Sequence, residues 1–213
     1  MRSTRLRLAA VVSSLAVFGL LGTAQGATTP STGPKTLTIA DPTGDEKGGQ
    51  ASLDATKVLF TTTGTTTSKK VKGKTVKSYT PTALVVQLVL AAAPTALPTV
   101  VYEVDSVNSI CGNMYLYFDP QLIASGGSIG CGPPDAAGFP TTNFPGNPVL
   151  SGSTITWTWP FSAMPPEFRV NSTFTDVHSY IALADPITGA SPGIFTAAAD
   201  FDDVDSGDVY KVG

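Results

Sequence analysis

Residues 82–92 read Thr-Ala-Leu-Val-Val-Gln-Leu-Val-Leu-Ala-Ala. Leu84, Val86, Leu88 and Leu90 recur at a period of two, so they share one face of an extended chain. The other face carries Ala83, Val85, Gln87, Val89 and Ala91. One polar interior residue in such a run predicts a central strand covered on both faces. A second stretch, 154–159, alternates without a break. Ile155, Trp157 and Trp159 lie on one side and Thr154, Thr156 and Thr158 on the other, after a Gly152-Ser153 turn. That is the pattern of a half-buried strand, with the two indoles facing the same way.

Working outward, short runs of the same kind appear at 35–40, 53–63, 100–105, 114–118, 179–184, 194–199 and 208–212. Gly, Pro, Asp and Asn punctuate them, as turns require. The polar segment from 64 to 78 holds Lys69, Lys70, Lys72, Lys74 and Lys77 around Gly73, and reads as a long hairpin loop with a solvated tip. A contact with an anionic wall polymer is the functional alternative for these lysines. The Gly- and Pro-rich stretch 126–148 reads as irregular loop, and 161–165 as one short helical turn at a sheet corner. No repeat of 20–50 residues recurs, which excludes solenoids and propellers. The expected fold is all-β: an antiparallel β-sandwich, jelly-roll or immunoglobulin-like, with about eight to ten strands and little helix.

Composition agrees. The 213 residues include 29 Thr, 18 Ser, 21 Gly and 17 Pro, while charged residues make up only 14%. A typical soluble domain holds about 25% charged residues. Coiled coils, helical bundles and charged disordered chains are excluded on that ground.

The first 26 residues have the form of a secretory signal. Arg2, Arg5 and Arg7 precede an apolar run from Leu8 to Leu21, and Ala24-Gln25-Gly26 sets small residues at −3 and −1. The apolar run is too short to cross about 30 Å of hydrocarbon. The expected organisation is therefore a signal at 1–26, a flexible leader at 27–34 and a single sandwich domain at 35–213, secreted and free of the membrane after cleavage. Cleavage leaves ten basic against sixteen acidic groups, a net −6. Nucleic-acid binding would call for the opposite sign. Cys111 and Cys131, the only cysteines, read in an exported chain as one disulfide. Closing a loop of that size contributes about 3 kcal/mol.

Three further motifs stand together. They are Asp41-Pro42-Thr43-Gly44-Asp45 with Leu53-Asp54 leading into a strand, Gly152 to Pro160 around the two tryptophans, and an acidic run ending in Tyr210-Lys211-Val212-Gly213. Over about residues 37–213 this resembles secreted actinobacterial proteins with a DOMON-like or family-9-carbohydrate-module-like sandwich. The resemblance implies a binding domain whose relatives take sugars or haem, and a structural calcium.

Candidate site residues follow. Asp41, Asp45 and Asp54 near one end of the chain and Asp200 and Asp202 near the other could supply the six to eight oxygens calcium wants, provided the two clusters meet. Trp157 and Trp159 are either core or a flat sugar platform. Tyr115 and Tyr117 form a second candidate platform opposite Met114, Leu116 and Phe118. Haem is not expected, since His178 is the lone histidine, with Met114 and Met164 the methionines after the signal. Hydrolase chemistry lacks a Gly-x-Ser-x-Gly elbow or an evident triad. The sequence points to a secreted, non-catalytic module for carbohydrate or a cell-envelope polymer. A structural or interaction protein without a small ligand comes second, and an extracellular hydrolase third.

Overall fold

The structure, a computed structural model, describes residues 33–46, 49–94, 100–109, 112–120, 125–130, 141–165, 173–183, 200–206 and 210–211. The signal, most of the leader, the strand expected at 194–199 and both cysteines lie outside them. The described residues form twelve strands: β1 (Thr36–Ala40), β2 (Ala55–Val71), β3 (Lys74–Leu90), β4 (Val100–Asn108), β5 (Asn113–Phe118), β6 (Gly126–Gly130), β7 (Thr141–Asn143), β8 (Val149–Ser151), β9 (Thr154–Pro160), β10 (Thr173–Leu183), β11 (Asp200–Ser206) and β12 (Tyr210–Lys211). Single 3-10 turns occupy Ala51–Leu53 and Phe161–Ala163, the latter where a corner turn was expected.

All pairings are antiparallel, in two sheets. One runs β1-β2-β3-β9-β8. The other runs β11-β10-β4-β5-β6-β7, with β12 added beside β10. The expected all-β sandwich is the fold, with more strands than expected because several are only two to five residues long.

The decisive run lies in β3, between β2 and β9. Leu84, Val86, Leu88 and Leu90 are buried in the core they share with Val58, Phe60, Ile155, Trp157 and Trp159 of the flanking strands. The opposite face differs from expectation. Ala83 and Val85 are buried, but Gln87 and Val89 are only half-buried. That face is screened by its neighbours within the sheet: Val85 lies between Thr61 and Thr158, and Gln87 donates to Thr156 Oγ1 at 3.2 Å. Threonine is placed there because a β-branched, half-polar side chain suits a pleated surface open to water.

The facing sheet supplies Tyr102, Val104, Met114, Leu116, Ile129, Phe174, Val177 and Ile181 to the same core. Phe60, Phe174 and Tyr210 meet with ring centroids 5.5–6.4 Å apart, joining the first long strand to the last. Buried phenols peg the layers. Tyr102 Oη donates to Ser52 O at 2.9 Å, and Tyr210 Oη donates to Lys35 O at 3.3 Å. Burial disfavours the phenolate and pushes both up to about 12.

Three expectations are corrected. The Lys-rich segment is no loop: β2 and β3 stay paired from Gly64↔Pro81 out to Val71↔Lys74 and turn in two residues. Lys72 and Gly73 both have positive φ, 48° and 77°, as the right-twisting hairpin turn demands. Residues 126–130 and 141–143 are strands and not irregular loop. The acidic run 200–206 is a strand, β11, at the end of the order β11-β10-β4-β5-β6-β7.

Gly127 shows why β6 escaped notice. A Cβ there would lie 2.6 Å from both Leu116 Cδ2 and Tyr115 O, so only glycine fits against β5. Gly127→Ala is expected to lower unfolding free energy by about 1–3 kcal/mol through overpacking. Trp157→Ala is expected to lower it by about 3–5 kcal/mol through the cavity it leaves. Urea titration of each variant checks both.

Candidate functional site

Trp157 and Trp159 are each 1% exposed, so neither ring offers a face to solvent. The sugar-platform alternative for this pair is corrected: the face they share with Ile155 looks into the sandwich. What they do is hold other groups. Trp157 Nε1–H donates to Tyr117 O at 3.3 Å, crossing from one sheet to the other. Trp159 takes the edge of Phe144 at 5.4 Å and 86°. Phe144 follows β7 on the segment that leaves the second sheet for β8 in the first, and its N–H donates to Gly127 O at 2.7 Å.

These supports frame a cleft of about 540 Å³ beside β5 and β6. Tyr117, Ser125, Ser128, Asn143, Phe144 and Asn147 are among the residues that line it. Tyr117 is half-buried, and burial pushes its phenol up. Its ring lies against Gly126, where an added Cβ would sit 3.3 Å from Oη and 3.6 Å from Cζ. A bare glycine under an aromatic ring restores the cross-strand packing that the missing side chain leaves out. The sequence marks this only as a Gly126-Gly127 pair, which reads as a turn.

Tyr115 does not join Tyr117. Its Oη accepts from Asn113 Nδ2 at 2.7 Å, two residues back along its own strand. The expected tyrosine pair is thus reduced to one ring in the cleft.

Register carries the outer face of the second sheet onward. Glu103 stands opposite Tyr117 and Tyr180, and Asp105 opposite Tyr115 and His178. His178 is in turn opposite Asp205, and Tyr180 opposite Asp203. This row of acids was not recognised in the sequence, where Glu103 and Asp105 look like the wet side of an ordinary strand. Desolvation by burial, followed by the charge of Asp105, pushes Glu103 up from 4.5 to about 7. Met114 is buried on the inner face of β5, whereas His178 is on the outer face of β10. The two lie on opposite sides of one sheet. Met164 is likewise a core residue.

The acidic residues expected to hold calcium are placed as follows. Asp54 is 1% exposed and its Oδ2 accepts Gly44 N–H at 2.7 Å, closing the loop after β1 with a hydrogen bond. Asp45 is exposed. Among the described residues no three His, Cys, Asp or Glu side chains gather as metal ligands. Asp200 and Asp202 belong to β11. Asp202 pairs with Ile181, which pairs with Tyr102, whose hydroxyl reaches Ser52. The topology therefore brings the start of β11 to the end of the sandwich that holds Asp54.

Comparison of the chain with protein-family models, with curated proteins and with solved structures finds no match.

Glu103 gives the outer face a pH signature. Its folded value is raised, so the folded protein holds the proton that the unfolded chain releases above about pH 4.5. Stability is then undiminished below that pH. It falls as pH rises, and the loss is complete above about pH 7, on the order of 2–3 kcal/mol. Melting temperature measured from pH 4.5 to 8 is expected to decline in the native chain, with a flatter decline in Glu103→Gln.

Proposed function

We propose that this chain is an exported carbohydrate-binding module that acts without catalysis, and that sugar enters the cleft at Tyr117. The observation that carries the reading is the lining of that cleft. Two aromatic residues line it with two serines and two asparagines, and Trp157 and Trp159 of the core contact the two aromatic residues, at the Tyr117 carbonyl and the Phe144 ring. Sugar rings present apolar C–H faces and hydroxyl edges. A site for them needs a rigid aromatic surface with a few polar groups at its rim. The DOMON-like or family-9-module-like resemblance supports the same class, and the basic, apolar and small-residue order of residues 1–26 supports export.

Isothermal titration against soluble fragments of neutral cell-wall and plant polysaccharides tests the reading. Tyr117→Ala is expected to weaken binding at least tenfold while the melting temperature moves by only a few degrees. Binding unchanged in Tyr117→Ala would remove the cleft from the function.

A second reading, an extracellular glycoside hydrolase, is favoured by Glu103 and Asp105. Two carboxylates on one strand face, one keeping its proton near neutrality, are the pair that acid–base glycoside cleavage uses. Release of reducing ends from the bound glycan, abolished in Glu103→Gln, would replace binding with catalysis.

Export also bears on Cys111 and Cys131, which we propose to be bonded. In support, Cβ at their neighbour Gly112 would lie 3.2 Å from Gly130 O, so the two flanks run side by side. Mass spectrometry of the secreted chain is expected to find no free thiol. Cys111→Ala with Cys131→Ala is expected to lose about 3 kcal/mol of stability.

A further inference from the structure

The paired β2–β3 ribbon does not stop at the body of the sandwich. β1 leaves β2 after Thr61, and β9 leaves β3 after Ala83. Beyond those points eight further pairs, Gly64↔Pro81 to Val71↔Lys74, continue as a two-stranded arm. At about 3.4 Å per residue it extends roughly 25 Å. Residues 63–77 are all exposed. Tyr79 is the buried root, its Oη donating to Thr62 O at 2.9 Å. Gly64 is the point of closest approach, where a Cβ would collide with Thr80 O.

The charge of the arm is one-sided. From residue 55 to residue 102 the chain has no Asp or Glu, while Lys69, Lys70, Lys72, Lys74 and Lys77 crowd the outer end. The rest of the molecule is acidic. Residues opposite one another in an antiparallel pair share a face. Lys69↔Val76 and Val71↔Lys74 therefore set Lys69 and Lys74 diagonally on one face. Lys70↔Thr75 and Ser68↔Lys77 set Lys70 and Lys77 diagonally on the other, with Lys72 at the turn.

We propose that this arm is a docking surface for an extended polyanion, a linear polymer bearing phosphate or carboxylate groups. It is a surface separate from the sugar cleft. A flexible polymer can follow cations around both faces and the tip, whereas a flat bilayer meets one face. The arm also lacks an aromatic anchor: no Phe, Tyr or Trp lies between 61 and 78, and Val71 and Val76 are its only exposed apolar side chains, at 45% and 43%. Interfacial anchoring uses aromatic and bulky apolar groups with the cations. Charge complementarity gives direction, since the acidic body repels the polymer and the arm draws it in.

The test uses the full chain and long-chain inorganic polyphosphate. If all five lysines engage, log K falls against log salt with a slope of about −3.5, so binding weakens roughly 100-fold from 50 to 200 mM salt. Lys69→Gln with Lys74→Gln is expected to make the slope shallower by about 1.4 with no change in melting temperature. The variant with all five lysines changed to Gln is expected to lose binding, and Tyr117→Ala to keep it. Absence of binding at low salt overturns the proposal, as does full binding by the five-Gln variant. Binding to anionic phospholipid vesicles with none to polyphosphate overturns it in favour of a membrane surface.

Discussion

The bond from Trp157 Nε1–H to Tyr117 O crosses the sandwich, and much of the molecule depends on it. A buried indole must find an acceptor or leave its N–H stranded at a cost of about 1–3 kcal/mol. The acceptor here is a backbone carbonyl of the opposite sheet. That fixes the height of β5 over β9. Because Trp159 lies two residues on along the same strand face, it fixes Phe144 as well. The same pair of large rings fills the core and contacts two residues that line the cleft, Tyr117 and Phe144. Packing and site are therefore one construction, and a change that loosens the core loosens the site.

Elsewhere the chain solves the same problem with tyrosine. Tyr79, Tyr102 and Tyr210 are buried, and each hydroxyl reaches a backbone carbonyl. Tyr79 ties β3 to β2 within one sheet, whereas Tyr210 of the second sheet reaches Lys35 beside β1 of the first; each phenol combines a large apolar ring with one directional bond. Threonine closes the wet faces. Thr56 donates to Val89 O, Thr61 to Lys35 O and Thr82 to Thr63 O, tying neighbouring strands by their side chains as well as their ladders. The Thr excess and the low charge content are two sides of one design.

The sandwich was legible in the sequence because its central strands follow period two over long stretches. Leu84 to Leu90 and Ile155 to Trp159 announce one buried face each. The arm was not legible, because residues 64–78 bury nothing and so leave no periodic trace; their pairing continues the register begun in the body. β6 was not legible because its key residues, Gly126 and Gly127, carry no side chain to read. Strand β11 was hidden because four Asp among seven residues read as loop composition. The site was half legible. The aromatic residues on β5 and β9 were singled out, but alternation alone is met equally by an indole pair in the core and by one on a platform. Sequence distance also hid Phe144 and Asn147, which arrive from a crossing segment.

Charge is where the two halves of the molecule part. A body carrying nearly all the acid has little use for a cationic spike unless charge separation itself matters, because edge protection alone asks for one or two lysines and not five. On the body, burial and then the charge of Asp105 push Glu103 up to about 7. The two proposed surfaces differ in kind: docking of a polyanion on the arm weakens with salt, whereas binding of a neutral ligand in the cleft does not.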